Sequence, residues 1–590
     1  MRLFFLGFTL LLILFGCKSN RSFSIHSYPP VPKVDLTEEN ARKFDYFFYE
    51  ANKEKFLGNY EKSVTYYAEC LRIDSTSSVC LYELANIYSG INQYGKAAEL
   101  MQKAVHFNPL NEWYQLALAD LFHRTEKISE AIKIYEHLVK IKPQSEEYLY
   151  TLSQLYAQSN QFTLALKTLD RLESEIGFNE TIIMEKMKIY IHLNNEKLSY
   201  AEVEKLIKKY PGQVIYLGYL ADLYSYFKKY DKAITTYTKM LSMDPTYESV
   251  YFSMASIYYQ RNDTLLFKTN YSKAINSKHV ALEQKIQKLI PFLISDNPES
   301  SSFNDNELEQ FFQQLLILHP FDSQGYILYG NFLRNRGKSD LALVKFQTAI
   351  ELEPTNEQLW QDILFLQAEL RLFTDMLLTG NNALSYFPSN GVITLLYSSA
   401  LMQCNKANEA VSVINAIIDT ITNNPPLKGQ LYALLGDAAY KAGLSDTAFV
   451  AYDEALKIND RNLGVLNNYS YYLSLDNRDL DKAEKMSSRT IELEPGNSTF
   501  LDTYAWILFK KGRYLEAKFI IERAIDNGGD TNFEIVEHYG DILYFNGDVQ
   551  NAIIQWEKAH ILMQSHTDES IDSKRLHTIQ QKILNRRFID

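Results

Sequence analysis

The sequence predicts an all-α solenoid of stacked helix pairs. The first observation is that four pairs of prolines are separated by 34 residues, as Pro109 and Pro143 are. The second is an alanine 12 residues before several of these prolines, as Ala97 precedes Pro109. The third is composition, since 42 Tyr beside only 23 Gly and 15 Pro favours helices with many large contacts. A repeat of roughly 20 to 50 residues indicates stacked units rather than one globular core.

The N-terminal segment, residues 1–16, has the pattern of a secretory signal. A single positive residue, Arg2, precedes an apolar run from Leu3 to Phe15. A run of about 13 residues is too short to cross a bilayer, which takes about 20, and a charge followed by an apolar run and a small residue is typical of a signal peptide. We therefore expect this segment to be removed.

The end of that segment, Leu14 to Cys17, reads LFGC and resembles the lipobox of bacterial lipoproteins. The resemblance implies that Cys17 is the lipidation site and becomes the acylated first residue of the mature protein. Phe15 differs from the small or β-branched residue usual there, so an ordinary signal peptide is the alternative. Several acyl chains would anchor the protein stably, whereas one chain binds only marginally.

Residues 17–38 are predicted to form the acylated cysteine and a flexible tether, because they are polar and lack a repeating apolar pattern. Lys18 is not the aspartate that retains enteric lipoproteins in the inner membrane, and Ser19 and Asn20 lack the acidic export signal of some surface lipoproteins. The resemblance therefore implies an outer-membrane lipoprotein in the cell envelope, facing the periplasm.

The repeat itself resembles the tetratricopeptide repeat, a pair of antiparallel helices of 34 residues. The unit that begins at Ser78 matches its motif at Leu84, Ala85, Tyr88, Ala97, Met101, Ala104 and Pro109. Other clear units begin near Glu112, Val214, Ser323, Gly429, Gly464 and Ser498. Weaker units begin near Phe44, Glu146, Thr181, Glu248, Glu357, Gly391 and Phe533. The resemblance covers roughly residues 40–563 and implies a superhelical solenoid of about 13–14 helix-turn-helix units with a C-terminal capping helix.

Helix packing explains the spacing. Small residues let the two helices of a unit approach closely, large residues fill the space between neighbouring pairs, and proline ends the second helix. Each pair then exposes an apolar face that only another pair can cover.

The domain organisation follows from where the repeat weakens. We predict an N-terminal superhelix over residues 39–281, a degenerate helical junction over 282–322 and a C-terminal superhelix over 323–563, with a capping helix over 564–590. Two prolines and the run SSSFNDN indicate turns within the junction. One continuous solenoid with a degenerate repeat is the alternative.

Charge and cysteine content exclude several classes of protein. The net charge of −12 argues against a general nucleic-acid binder, which needs a basic face. After Cys17 only Cys70, Cys80 and Cys404 remain, and their spacing matches no zinc motif. An oxidising compartment would permit a disulfide between Cys70 and Cys80, and buried free thiols are the alternative.

We find no pattern typical of an enzyme. The eleven histidines are scattered, with no two within five residues, so no helix carries paired metal ligands. The run RGKS at Arg336 resembles the end of a phosphate-binding loop, but Phe332 stands where that motif needs glycine. The sequence therefore predicts a non-catalytic protein without cofactor or metal.

The family resemblance implies a concave binding surface on the first helices of the units. In the three C-terminal units the residues at these positions are acidic, aromatic or polar, and we call them the acidic strip. They are Asn467, Tyr471, Asp502, Trp506, Phe509, Glu537, Asp541 and Tyr544. Aromatic side chains supply contact area and carboxylates pair with Lys or Arg, so we expect the strip to bind a partner protein. The alternative is that the aromatics pack within the stack and the carboxylates are merely solvated.

In the N-terminal half the same surface is more mixed. It carries Trp113, Asp120, His123 and Arg124, which we call the N-terminal groove. The sequence indicates no ligand for it.

Residues 466–517 and 537–559 look like the C-terminal repeat block of bacterial tetratricopeptide lipoproteins. The resemblance implies a lipid-anchored scaffold or adaptor that gathers envelope proteins, with a periplasmic protease, a peptidoglycan enzyme or a secretion-machinery component as partner. A structural component of a secretion or gliding-motility apparatus is the alternative, because a fold does not choose between functions.

Overall fold

The computed structural model describes residues 35–293, 302–565 and 573–589. Throughout these ranges the secondary structure is helical, which confirms the all-α prediction. The predicted signal peptide, Cys17 and most of the predicted tether lie outside the described residues. In the described part of the chain, no helix is both long and apolar enough to cross a membrane.

The chain divides into two compact units, Met1–Phe267 and Lys268–Asp590. The helices of the first unit are α1 Glu38–Phe56, α2 Tyr60–Ile73, α3 Ser78–Gly90, α4 Tyr94–Phe107, α5 Glu112–Arg124, α6 Ile128–Ile141, α7 Glu146–Gln158, α8 Phe162–Ile176, α9 Glu180–His192, α10 Glu196–Lys209, α11 Ile215–Tyr226, α12 Tyr230–Met243 and α13 Val250–Gln260. The division falls within α14, Thr264–Asn276.

The second unit continues to the C-terminus. Its helices are α15 Leu282–Leu289, α16 Asp305–Leu318, α17 Ser323–Asn335, α18 Ser339–Leu352, α19 Glu357–Glu369, α20 Phe373–Tyr386, α21 Gly391–Gln403, α22 Ala407–Ile417, α23 Pro425–Lys441, α24 Ser445–Ile458, α25 Leu463–Leu475, α26 Leu480–Leu493, α27 Ser498–Lys510, α28 Tyr514–Asp526, α29 Phe533–Phe545, α30 Val549–Ser565 and α31 Ser573–Asn585. Within each unit consecutive helices pack as antiparallel pairs, which confirms a tetratricopeptide-repeat solenoid.

The predicted junction, residues 282–322, holds α15, a 3-10 turn Ile290–Leu293 and α16. It falls inside the second unit, whose limit lies at Lys268. The division of the chain into the predicted domains stays a prediction.

The turn within each pair needs a left-handed backbone. Gly512, between α27 and α28, has φ +76°, a conformation that glycine adopts without steric cost. In half of the earlier pairs the equivalent residue is asparagine, as at Asn92 with φ 61°. Asparagine tolerates this region better than other residues with a side chain.

Small residues bring the two helices of a pair together. Leu501 and Ala505 on α27 are fully buried, as the repeat predicts. In the last pair a Cβ added to Gly540 would lie 2.5 Å from Cδ1 of Trp556, so glycine makes room for the largest side chain of α30. Cys70 and Cys80 pack in the core of the first two pairs as free, buried thiols.

Candidate protein-binding site

The acidic strip lies on three first helices that follow one another in the stack. Asn467 and Tyr471 lie on α25, whereas the remaining strip residues belong to α27 and α29. Helix α27 contacts both of the other two, so the strip is continuous. Most of its side chains are buried, and only Tyr471 and Tyr544 are half-exposed.

The centre of the strip is a buried carboxylate–imidazole pair. Nδ1 of His538 on α29 lies 2.9 Å from Oδ1 and 3.1 Å from Oδ2 of Asp502. The imidazole stacks on the Trp506 indole with 4.0 Å between ring centroids, and that indole stacks on Phe509 at 4.8 Å. Asp502 and Trp506, one helical turn apart, are thus joined through a histidine from the next repeat.

The strip carboxylates on α29, Glu537 and Asp541, are covered by α31. The guanidinium of Arg575 donates from Nη1 to Glu534 at 2.9 Å and from Nε to Glu537 at 2.8 Å. Lys582 donates to Oε1 of Glu537 at 2.9 Å and to both oxygens of Asp541 at 2.8 and 2.9 Å. The strip carboxylates are therefore paired rather than solvated.

Apolar contacts fix α31 in the same place. Leu576, Ile579 and Ile583 pack with Leu543 and Trp556 of the last pair. Beyond the end of α31, the Phe588 ring lies 6.2 Å from Phe509 and 5.2 Å from Phe545, measured between centroids. One face of the C-terminal segment is thus apolar, and its cations enter the strip.

Burial and charge pairing oppose each other at these groups. Burial raises the pKa of Asp541 to about 6, although Lys582 pulls it down. Burial would also raise the pKa of Glu537, but Lys582 and Arg575 outweigh it and hold that pKa below its usual range. Burial disfavours the His538 imidazolium, yet the carboxylates of Asp502 and Glu534 together outweigh burial and the pKa of His538 is raised.

Two polar atoms of the strip lack a hydrogen-bond partner among the described residues. They are Nε1 of Trp506 and Oδ1 of Asn467, in side chains that are 6% and 7% exposed. By contrast, the indole nitrogen of Trp556 donates to Asp541 at 2.8 Å. A buried polar group without a hydrogen-bond partner costs about 1–3 kcal/mol. The hydrogen-bonding groups of the strip on α25 and α27 are therefore incompletely satisfied.

The N-terminal groove is open. Trp113 at the start of α5 is 74% exposed. Asp120, His123, Tyr135, Gln154 and Gln158 line a cavity of about 420 Å³ between α5, α6 and α7. Arg124 Nε donates to Asp120 at 2.7 Å, and His123 Nε2 lies 3.2 Å from the Gln158 amide oxygen. These side chains offer aromatic, acidic and basic contacts to solvent.

The sequence reasoning missed the cations that fill the strip. It recognised Arg575 and Lys582 as part of a capping helix and left His538 and Phe588 unassigned. One signal was present: Arg575 and Lys582 are seven residues apart, two helical turns, beside an apolar pattern. The last repeat carries negative charges and the helix that follows it carries positive charges. Considered together, these charges indicate ion pairs between the two segments, which neither segment indicates alone.

In residues 35–293, 302–565 and 573–589, no group of three or more His, Cys, Asp or Glu side chains is placed to hold a metal ion.

Comparison with known proteins agrees with the helix pairs. Two family models, both described as tetratricopeptide repeat, match this chain, one at residues 82–146 and the other at 54–77 and 217–247. No curated protein matches the sequence.

Two solved structures are similar at low identity. A structure titled "Structure of Naa15/Naa10 bound to HypK-THB" is 15% identical, with 93% of this chain and 95% of that chain covered and a TM-score of 0.41. A tetratricopeptide repeat protein from Parabacteroides merdae is 16% identical, with 44% of this chain and 98% of that chain covered and a TM-score of 0.36. Neither TM-score is high enough to inform on function. The family-model matches and the paired helices together show that the chain carries tetratricopeptide repeats, an architecture that is generally a non-catalytic scaffold for protein interactions.

Proposed function

We propose that this protein is a lipid-anchored scaffold or adaptor that binds other envelope proteins and has no catalytic activity of its own. The observation that carries the proposal is that helix pairs make up almost the whole described chain. A stack of such pairs mainly presents surfaces for interaction with other molecules. The exposed N-terminal groove supplies one such surface, and the charged C-terminal strip supplies a second, of different chemistry, that α31 covers.

Lipid anchoring at Cys17 rests on the sequence alone. The LFGC run and the short apolar segment before it support acylation of this cysteine and attachment to the outer membrane, with the solenoid in the periplasm. Replacing Cys17 by serine should move the protein from the membrane fraction to the soluble fraction and remove the acyl mass from its N-terminal peptide. A membrane-bound Cys17→Ser protein would contradict this anchor.

Crosslinking in native membranes followed by identification of the co-purified proteins tests the scaffold. We expect exchangeable clients, with a periplasmic protease or a peptidoglycan enzyme among them. Recovery of one fixed multi-protein complex in constant stoichiometry would instead favour a structural part of a secretion or gliding-motility apparatus. If the crosslinked native protein carries no partner at all, both functions are wrong.

A further inference from the structure

We propose that the acidic strip is a receptor for a basic amphipathic helix of a partner protein, and that α31 is its resident occupant. This rests on the proposed function, because a scaffold needs a surface for its partners. The partner is defined by the chemistry of α31: an apolar face, two cations two helical turns apart, and an aromatic residue beyond the second cation.

The first argument is the charge complementarity of this contact. Glu534, Glu537 and Asp541 lie three and four residues apart on α29, so they form one row on a helix face. Arg575 bridges the first two carboxylates of the row and Lys582 bridges the last two. The row accepts these hydrogen bonds from two cationic side chains, so another helix with the same spacing of cations fits it.

The second argument is that the resident helix matches the strip incompletely. In the described residues four carboxylates, those of Asp502, Glu534, Glu537 and Asp541, share the cations of Arg575 and Lys582 and the His538 imidazole, which is a cation only when protonated. A helix with one further cation would balance the charge.

The two strip atoms without a hydrogen-bond partner lie on α25 and α27, away from the carboxylates of α29. Trp506 Nε1 is a donor and Asn467 Oδ1 an acceptor, both more than nine-tenths buried and without a hydrogen-bond partner in the described chain. Each such group costs about 1–3 kcal/mol. Neither atom is hydrogen-bonded to α31, so the resident helix leaves both groups unmatched.

The third argument is the position of α31 in the chain. Among the described helices, α31 follows the pair α29–α30 and no further pair packs on it, so its departure removes no contact between helix pairs. The surface that it uncovers combines the acidic row with the apolar side chains of Leu543 and Trp556, so an amphipathic helix is needed to replace it. Exchange of α31 for a partner helix therefore leaves the stacked pairs intact.

The direct test measures binding of a labelled peptide of residues 573–590 to three full-length chains. They are the native chain, Arg575→Glu/Lys582→Glu, and the control Arg586→Glu/Arg587→Glu, which makes the same charge change at exposed residues. Charge reversal beside Glu537 and Asp541 should expel α31. We expect fluorescence anisotropy to show at least about tenfold tighter peptide binding to Arg575→Glu/Lys582→Glu than to the other two chains, and weaker binding at high salt. Equal affinity for all three chains, or no binding, would overturn the proposal.

A second measurement keeps the test informative if the double variant does not fold, as judged by circular dichroism. Hydrogen exchange of residues 573–585 in the native chain is followed with and without unlabelled peptide. Faster exchange at peptide concentrations that saturate the anisotropy signal supports replacement of α31. Unchanged exchange at saturation places the peptide elsewhere and overturns the proposal.

The partner assignment is tested by crosslinking native and Glu537→Gln/Asp541→Asn chains in membranes. Loss of captured proteins in the variant supports the proposal. Unchanged capture overturns the receptor role and leaves the scaffold function standing. If the native chain captures no partner but still binds the peptide, the scaffold function is overturned. The ability of the strip to bind a basic amphipathic helix would then still stand. Concentration-dependent dimers of the native chain that need Arg575 and Lys582 would make a second copy the occupant and overturn the partner assignment.

Discussion

The acidic strip and the N-terminal groove both lie on first helices of helix pairs, but in different pairs. The strip is covered, whereas the groove is open. In the strip, Lys582 and Asp541 are 4% and 2% exposed. In the groove, Arg124 and Asp120 form an ion pair of similar length but are 48% and 56% exposed. The repeat therefore determines which residues point inward, while the element that packs against them determines whether they meet solvent.

Exposure also decides what each ion pair contributes to stability. A solvent-exposed pair contributes about 0–1 kcal/mol, because water screens it and two side chains lose rotamer freedom. Removing one partner of a buried pair costs about 3–5 kcal/mol, because the remaining charge is left uncompensated. The strip should therefore respond to substitution far more than the groove.

The largest contrast is expected for the cations of the two ion pairs. Lys582→Met leaves Glu537 and Asp541 without their shared cation, so we expect α31 and α29 to open more easily by about 3–5 kcal/mol. The matched substitution Arg124→Met should change the local stability of α5 by less than about 1 kcal/mol. Hydrogen exchange of each helix measures the free energy of its local opening in the native chain and in the variant. Equal losses for the two variants would show that burial does not make the strip ion pair more important to stability than the groove ion pair.

A second contrast concerns glycines. Gly540→Ala places a Cβ 2.5 Å from Cδ1 of Trp556 and 3.1 Å from the Ala552 carbonyl oxygen, so we expect a loss of about 1–3 kcal/mol from overpacking. At Gly95 on α4 nothing lies within 4 Å of the added Cβ. There Ala should stabilise the helix by up to about 1 kcal/mol. Urea unfolding of the two variants tests this difference in sign. A stabilised Gly540→Ala protein would mean that the last pair has room for a larger residue.

A third contrast depends on pH. The pKa of His538 is raised above its ordinary 6.5 because the carboxylates of Asp502 and Glu534 together outweigh burial. The stabilisation from this imidazolium is therefore present below about pH 6.5 and is lost as the pH rises through the native pKa. In the N-terminal unit, burial and then Lys140 lower the pKa of His137, so its native state is stabilised above about pH 6.5 and loses stability as the pH falls.

Substitution of each histidine by glutamine tests these signs. We expect the difference in unfolding free energy between the native chain and His538→Gln to shrink from about pH 6 to pH 9, and the difference for His137→Gln to grow over the acidic part of that range. Urea titrations at several pH values measure both. The same slope for both variants would contradict the assigned environments.

Sequence reasoning predicted the repeat because the repeat is a local property. Glycine or asparagine in the turn and alanine or glycine at the helix crossings recur every 34 residues or so, and each can be assigned within its own unit. The inward placement of Asp502 and Trp506 follows from the same frame.

The contacts that cover the strip could not be found in this way. His538 lies 36 residues from Asp502, and Lys582 lies 45 residues from Glu537. A periodic pattern reports which face a residue occupies, whereas the partner across that face depends on where the chain places a later helix. The carboxylates of the strip were therefore expected either in a binding surface or in solvent. In the structure Glu537 and Asp541 are buried in ion pairs with α31, and Asp502 is paired with His538 of α29.

The smallest effect on stability, and the sharpest test of the open groove, is expected at Trp113. Its side chain is 74% exposed, so Trp113→Ala should change the unfolding free energy by less than about 0.5 kcal/mol. Exposed aromatic residues supply much of the energy of protein interfaces, so the same change should reduce the yield of crosslinked partners if the groove contacts them. The matched control is Phe519→Ala, which removes a ring that is 64% exposed on α28, the second helix of its pair. Equal yields for the two variants would show that the open groove is not used, and would leave the covered strip as the remaining surface of the two.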